Sequence, residues 1–79
     1  STATAVPVIF PNPSAGVFNC MVNGMLVKAD AVEVYGLTGT RVGDFKATSQ
    51  FNISNMAAGL YLYKMFYNGK VFQGKIIKL

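Results

Sequence analysis

Histidine and tryptophan are absent from this chain of 79 residues, only Asp30, Glu33 and Asp44 are acidic, and Cys20 is the single cysteine. Each scarcity excludes a class of chemistry. Without histidine there is no ordinary general base for neutral pH, and nothing to activate Ser14, Ser49 or Ser54 as a nucleophile. Asp30 and Glu33 offer too few oxygen donors for a calcium cage, and one thiol without histidine cannot build a zinc site. A lone cysteine closes no intramolecular disulfide, so Cys20 is expected as a small buried hydrophobe and stability must come from apolar burial. No apolar run approaches the ~20 residues that span a bilayer as a helix. Residues 1–7 lack the basic and apolar regions of a signal peptide. No catalytic, metal or cofactor residue is therefore expected. The chain also lacks an initiator methionine, and reads as a segment of a longer protein whose upstream part carries any enzymatic activity.

What is present is apolar: 52 % of residues are hydrophobic against 13 % charged, far from the composition of disorder. A chain of this length forms one domain and buries only about 60 % of its unfolded surface. Seven basic residues leave a net charge of +4, which favours anionic surfaces but falls short of a nucleic-acid footprint.

Apolar residues recur at period two, as in Val6, Val8, Phe10 and in Tyr61, Tyr63, Met65, Tyr67. Turn residues punctuate these runs, and Asn68-Gly69 is the strongest signal for a type I′ hairpin. The pattern predicts strands at 6–10, 16–22, 31–35, 41–46, 51–53, 60–67 and 70–78. Seven short strands suit an all-β, immunoglobulin-like antiparallel sandwich. Residues 54–58 are followed at once by Gly59 and can form no more than a turn of helix or a loop.

Three punctuated blocks stand in a set order: Phe10-Pro-Asn-Pro-Ser-Ala-Gly-Val-Phe18, Val32-Glu-Val-Tyr-Gly-Leu-Thr-Gly-Thr-Arg-Val42, and Ile53-Ser-Asn-Met-Ala-Ala-Gly-Leu-Tyr-Leu-Tyr63 leading to a lysine-flanked end. With that order and spacing, the chain resembles the type A C-terminal sorting domains of the Por (type IX) secretion system of Bacteroidetes over nearly its whole length. The resemblance assigns residues 1–5 to a linker remnant from an upstream cargo and 6–79 to the sorting domain. It implies a non-catalytic secretion signal that passes through the periplasm and carries its cargo through an outer-membrane translocon to the cell surface or medium. The implied partners are an outer-membrane β-barrel shuttle, other translocon proteins, the fused cargo, and a cell-surface sortase-like peptidase that cuts upstream of the domain. Pro11, Asn12, Pro13 and Gly16 match the first motif; Tyr35, Gly39 and Val42 the second; Gly59, Tyr61, Leu62 and Gly69 the third; and Lys75, Ile76, Ile77, Lys78 and Leu79 the terminal stretch needed for export. Two positions depart from the pattern. Gly36 stands where Asp or Asn is usual, and Thr40 displaces the basic residue to Arg41.

Local reasons compete with these roles. Two prolines and Gly16 already explain the first loop as a rigid turn, and the Gly36–Gly39 segment lacks the spacing of a phosphate loop. The tyrosine row is expected to pack the core with its phenols at the rim. Lys64, Lys70, Lys75 and Lys78 either guard an edge strand or steer a terminal strand toward an acidic receptor by pore insertion or strand addition. On the sorting reading, removal of the last five residues is expected to block export while leaving the fold intact. The chain is not expected to bind nucleic acid or span a membrane, and the isolated segment is β-prone enough to dimerise. The alternative function is an adhesive or carbohydrate-binding sandwich on a surface protein, against which the absence of tryptophan counts.

Overall fold

The computed structural model describes residues 7–79. The expected linker 1–5 and the first residue of the expected strand 6–10 lie outside the described residues. The elements are β1 (Pro7–Phe10), β2 (Val17–Val22), β3 (Met25–Leu26), β4 (Ala29–Tyr35), β5 (Arg41–Thr48), β6 (Gln50–Asn52), β7 (Gly59–Tyr67) and β8 (Lys70–Lys78), with no helix among the described residues.

Two four-stranded antiparallel sheets form the sandwich expected from the alternation. In the first, β2 pairs β1 along one edge, while β6 and β3 share its other edge at opposite ends. The second runs β5-β4-β7-β8. One strand escaped the sequence reading: β3 is two exposed residues after the Asn23-Gly24 turn, too short to show a period. Both Asn-Gly pairs lie in the left-handed region, with φ of 53° and 80° at Asn23-Gly24 and 53° and 76° at Asn68-Gly69. They close the two-residue hairpins Val22↔Met25 and Tyr67↔Lys70, as type I′ turns do.

The alternation sorts residues between core and solvent. Val32 and Val34, Tyr63 and Met65, and Ile76 face inward and meet Phe18, Cys20, Phe51 and Ile53 of the opposite side. Phe18 and Phe51 are direct partners of β2 and β6 and stack at 5.5 Å, and Phe45 of β5 lies 5.3 Å from Phe51. This aromatic run joins the two sheets, each ring pair adding about 0.5–1.5 kcal/mol beyond its buried area. The chain changes sheet at Ser49, whose carbonyl accepts the Cys20 amide at 2.8 Å. Cys20 is fully buried and burial pushes its thiol up to about 11, in keeping with its expected place as a core hydrophobe. The tyrosine row also behaves as expected: Tyr63 is buried, Tyr61 and Tyr67 pack at the rim, and the Tyr61 hydroxyl donates to the Ala57 carbonyl at 2.6 Å.

Candidate functional site

The terminal hairpin β7–β8 organises the motif residues. Its turn is anchored by β4, where Asp30 Oδ2 accepts the Asn68 amide at 3.1 Å. With the turn fixed, register follows by counting. On the outer face of the second sheet, Glu33, Lys64 and Gln73 form one row across β4, β7 and β8, and Tyr35, Leu62 and Lys75 form the next. Leu60 and Ile77 continue beyond them. A groove of about 470 Å³ lies over these rows, lined by Tyr35, Gly39, Leu62, Lys64, Gln73 and Lys75. Residues from the second motif, the third motif and the terminal stretch thus share one open surface.

The electrostatics of this face are divided. On the β5 side, Arg41 lies 3.4 Å from Glu33 and 4.0 Å from Asp44, which also pairs with Lys46 at 3.5 Å. Tyr35 donates to Glu33 Oε1 at 2.5 Å, and this bond to the carboxylate holds the phenol above its usual range. Lys64 Nζ sits 5.5 Å from the centroid of the Tyr35 ring, within cation–π reach. The ion pairs of this face lie on the β5 side, with none formed by the β8 lysines among the described residues. Gly36 and Gly39 form the tight turn that brings Arg41 opposite Tyr35, with the Gly36 amide donating to Thr40 O and the Gly39 amide to Gly36 O. Val42 is the extra residue of a β-bulge, since Val34 pairs with Gly43 and Tyr35 with Arg41.

The first motif reaches the same strand from its edge. The loop from Pro11 to Gly16 leaves the first sheet and runs along β8 before returning to β2. Asn12 Nδ2 donates to Lys75 O at 3.0 Å and its Oδ1 accepts the Ile77 amide at 2.9 Å. Ser14 continues the contact through its backbone, donating to Ile77 O at 3.0 Å and accepting the Leu79 amide at 2.8 Å. Pro11 and Pro13 flank Asn12 and are exposed. Gly16 is buried where the loop passes Ser54: its φ is +153°, its carbonyl accepts the Ile53 amide at 2.8 Å, and a Cβ there would lie 2.5 Å from Ser54 Cα. Gly59, at φ +147°, opens β7 opposite Lys78.

The terminal stretch divides between the two faces. Lys75, Ile77 and Leu79 are exposed, whereas Ile76 is fully buried and Lys78 is only 8 % exposed, its Nζ donating to the Leu79 carbonyl at 3.0 Å. Lys78 is therefore not a displayed cation as the charge pattern suggests. The buried Ile76 also corrects the expected effect of removing the last five residues: that cut takes a core side chain and the ladder partners of Gly59, Leu60, Tyr61 and Leu62, so it destabilises the fold as well. Sequence reasoning missed Ser14, Gln73 and Gly74, and it named Lys64 only as one of four lysines near the end of the chain, without its place beside Tyr35 and Gln73. Lys64 and Gln73 follow from the Asn68-Gly69 register, and Gly74 from its place opposite Tyr63, whose ring comes within 2.7 Å of where a Cβ would lie. Ser14 carries no local signal for a partner more than sixty residues away.

The all-β sandwich thus gathers residues of separate motif blocks on one open surface beside a clamped last strand, the arrangement of a recognition module. The family model for secretion system C-terminal sorting domains matches residues 8–79, and the chain belongs to that family, the sorting domains of the type IX secretion system. A search of curated proteins finds no match. As a sorting signal the domain engages the secretion machinery for an attached upstream cargo, which is exported to the cell surface or extracellular space.

Proposed function

We propose that the translocon reads the folded domain through the outer face of β4, β7 and β8. The observation that carries this reading is the convergence of Tyr35, Leu62 and Lys75, from three separate motif blocks, in one cross-strand row beside the Gly39 turn. In this reading the cargo crosses the periplasm with residues 6–79 folded behind a linker at 1–5. An outer-membrane β-barrel shuttle binds the Tyr35–Leu62–Lys75 face, with Ile77 and Leu79 exposed beside it. A cell-surface sortase-like peptidase then cuts upstream of the domain. The remaining motif residues act indirectly: Asn12 and Gly16 hold the terminal strand and its loop, Ile76 and Tyr61 pack the hairpin, and Gly59 and Gly69 set its ends.

The test is a periplasm-directed reporter fused to the domain, carrying Leu62→Glu or Lys75→Glu. Both side chains are exposed, so the fold is retained. Export is expected to fall about tenfold or more, since a carboxylate placed on an apolar contact, or a reversed charge, at the centre of a recognition surface costs a few kcal/mol. Unchanged export by both folded variants contradicts the reading. Glycan binding at the Tyr35 groove together with unchanged export favours the adhesive alternative.

A further inference from the structure

The sandwich blunts its sheet edges in different ways, with one exception. Among the described residues, β3 and β6 are two and three residues long, β1 carries Pro7, which offers no backbone donor, and β5 is broken by the Val42 bulge and by Ala47 at φ +47°. β8 is different: nine consecutive residues pair with β7 without a register shift. Closure of the hairpin at Tyr67↔Lys70 turns the even-numbered backbone groups of β8 toward β7 and the odd-numbered ones outward. The bonds from Asn12 and Ser14 confirm this, since they meet Lys75 O, Ile77 N, Ile77 O and Leu79 N. The loop therefore closes the edge from Lys75 O onward. The amide and carbonyl of Val71, those of Gln73, and the Lys75 amide face outward with no hydrogen-bond partner among the described residues.

We infer that this open stretch, Val71 to Lys75, is a strand-addition site for an extended acidic segment of a partner protein. The charge on the page selects the occupant. Lys70 and Lys75 bracket the stretch, Lys64 stands beside Gln73 on the next strand, and no acid follows Asp44. A second copy pairing through the same edge would set lysines against lysines, which is unfavourable. An added strand carrying carboxylates on the outer face meets Lys75. Its alternate residues, lying beside Phe72 and Gly74, are apolar. The Asn12 loop acts as the stop, limiting the added strand to about three to five residues. This inference names the partner chemistry of the translocon-facing side and so rests on the reading above.

The decisive experiment uses the 79-residue chain, two seven-residue probes that alternate Glu with Val or Lys with Val, and amide exchange followed by NMR. The Glu–Val probe at saturation is expected to slow exchange of the Val71, Gln73 and Lys75 amides about tenfold, and the Lys–Val probe to leave them unchanged. Gln73→Pro removes one outward donor without touching the β7 ladder and is expected to abolish the effect, while Gln73→Ala preserves it. Retained protection of the Phe72, Gly74 and Ile76 amides checks the fold of the proline variant, and Val71→Pro serves if that protection is lost. No slowing by the Glu–Val probe, equal slowing by both probes, or slowing that survives proline in a folded chain overturns the inference. In the export assay, Gln73→Pro is expected to reduce export about tenfold, and full export by the folded variant overturns the assigned partner role. Failure of the unmodified domain to direct export counts against the sorting-surface reading, with the probe experiment still deciding whether this edge accepts a strand.

Discussion

Asn12 grips Ile77 from 65 residues away: its side-chain oxygen accepts the Ile77 amide at 2.9 Å while its nitrogen donates to Lys75 O at 3.0 Å. One amide side chain thus imitates a residue of a neighbouring strand. Asn12→Ala removes both bonds and leaves partly solvated groups behind. A loss of about 1–2 kcal/mol is expected by urea unfolding. The Ile77 amide is expected to exchange faster than in the parent while the Phe72 amide does not change. Equal stability and unchanged exchange at Ile77 would contradict the clamp.

Gly16 and Gly39 both lie at positive φ, yet they predict different costs. At Gly39, φ +88°, a Cβ meets no atom within 4 Å, so Gly39→Ala carries only backbone strain, about 1 kcal/mol. At Gly16 the same substitution drives a methyl into Ser54 backbone at 2.5 Å as well, for about 3 kcal/mol or more. Thermal melting of both variants checks the order; a Gly16→Ala chain as stable as Gly39→Ala would show that the loop can move off Ser54.

The layers were legible in the residues because period-two alternation and Asn-Gly turns act locally. Tyr61, Tyr63, Met65 and Tyr67 announced a core face, and Asn68-Gly69 fixed the register that later places Lys64 beside Gln73. The assembly of the site was less legible. That Tyr35 and Leu62 are partners depends on β4 lying next to β7, a choice of topology that spacing does not encode. The Asn12 and Ser14 contacts are longer in range still, and their residues already had sufficient local reasons to be there. Lys78 was misjudged because a lysine on an inward position at the end of a sandwich turns its ammonium back to the Leu79 carbonyl, so burial and charge coexist.

Cys20 supplies a chemical gauge of the core. With its thiol raised from 9.0 to about 11 by burial, the neutral form is favoured in the folded state. The sign follows: this stability is complete below pH 9, where the unfolded thiol is also protonated, and is lost as pH rises through 11. The loss is on the order of 2 kcal/mol. Tyr63, also raised by burial, pushes in the same direction. Denaturant unfolding between pH 8 and 11 is expected to show falling stability, with a shallower fall in Cys20→Ala. In native conditions at pH 8, alkylation of Cys20 is expected to track global unfolding; rapid labelling of the folded chain would contradict its burial.

Two neighbours on β8 separate stability from recognition. Ile76→Ala empties a fully buried site and is expected to cost about 2–5 kcal/mol, so its export defect tracks unfolding. Ile77→Glu alters an exposed side chain and is expected to leave the melting temperature within a few degrees while reducing export. Paired measurements of stability and export on both variants check this; an Ile77→Glu domain that exports fully would remove this position from the recognition surface.

The most direct measurement is the location of a periplasm-directed fluorescent reporter fused to residues 1–79, in a Bacteroidetes host with and without a working type IX translocon. Signal at the surface or in the medium only when the translocon works is the predicted result. Reporter held in the periplasm of both strains, with the domain folded, would contradict it.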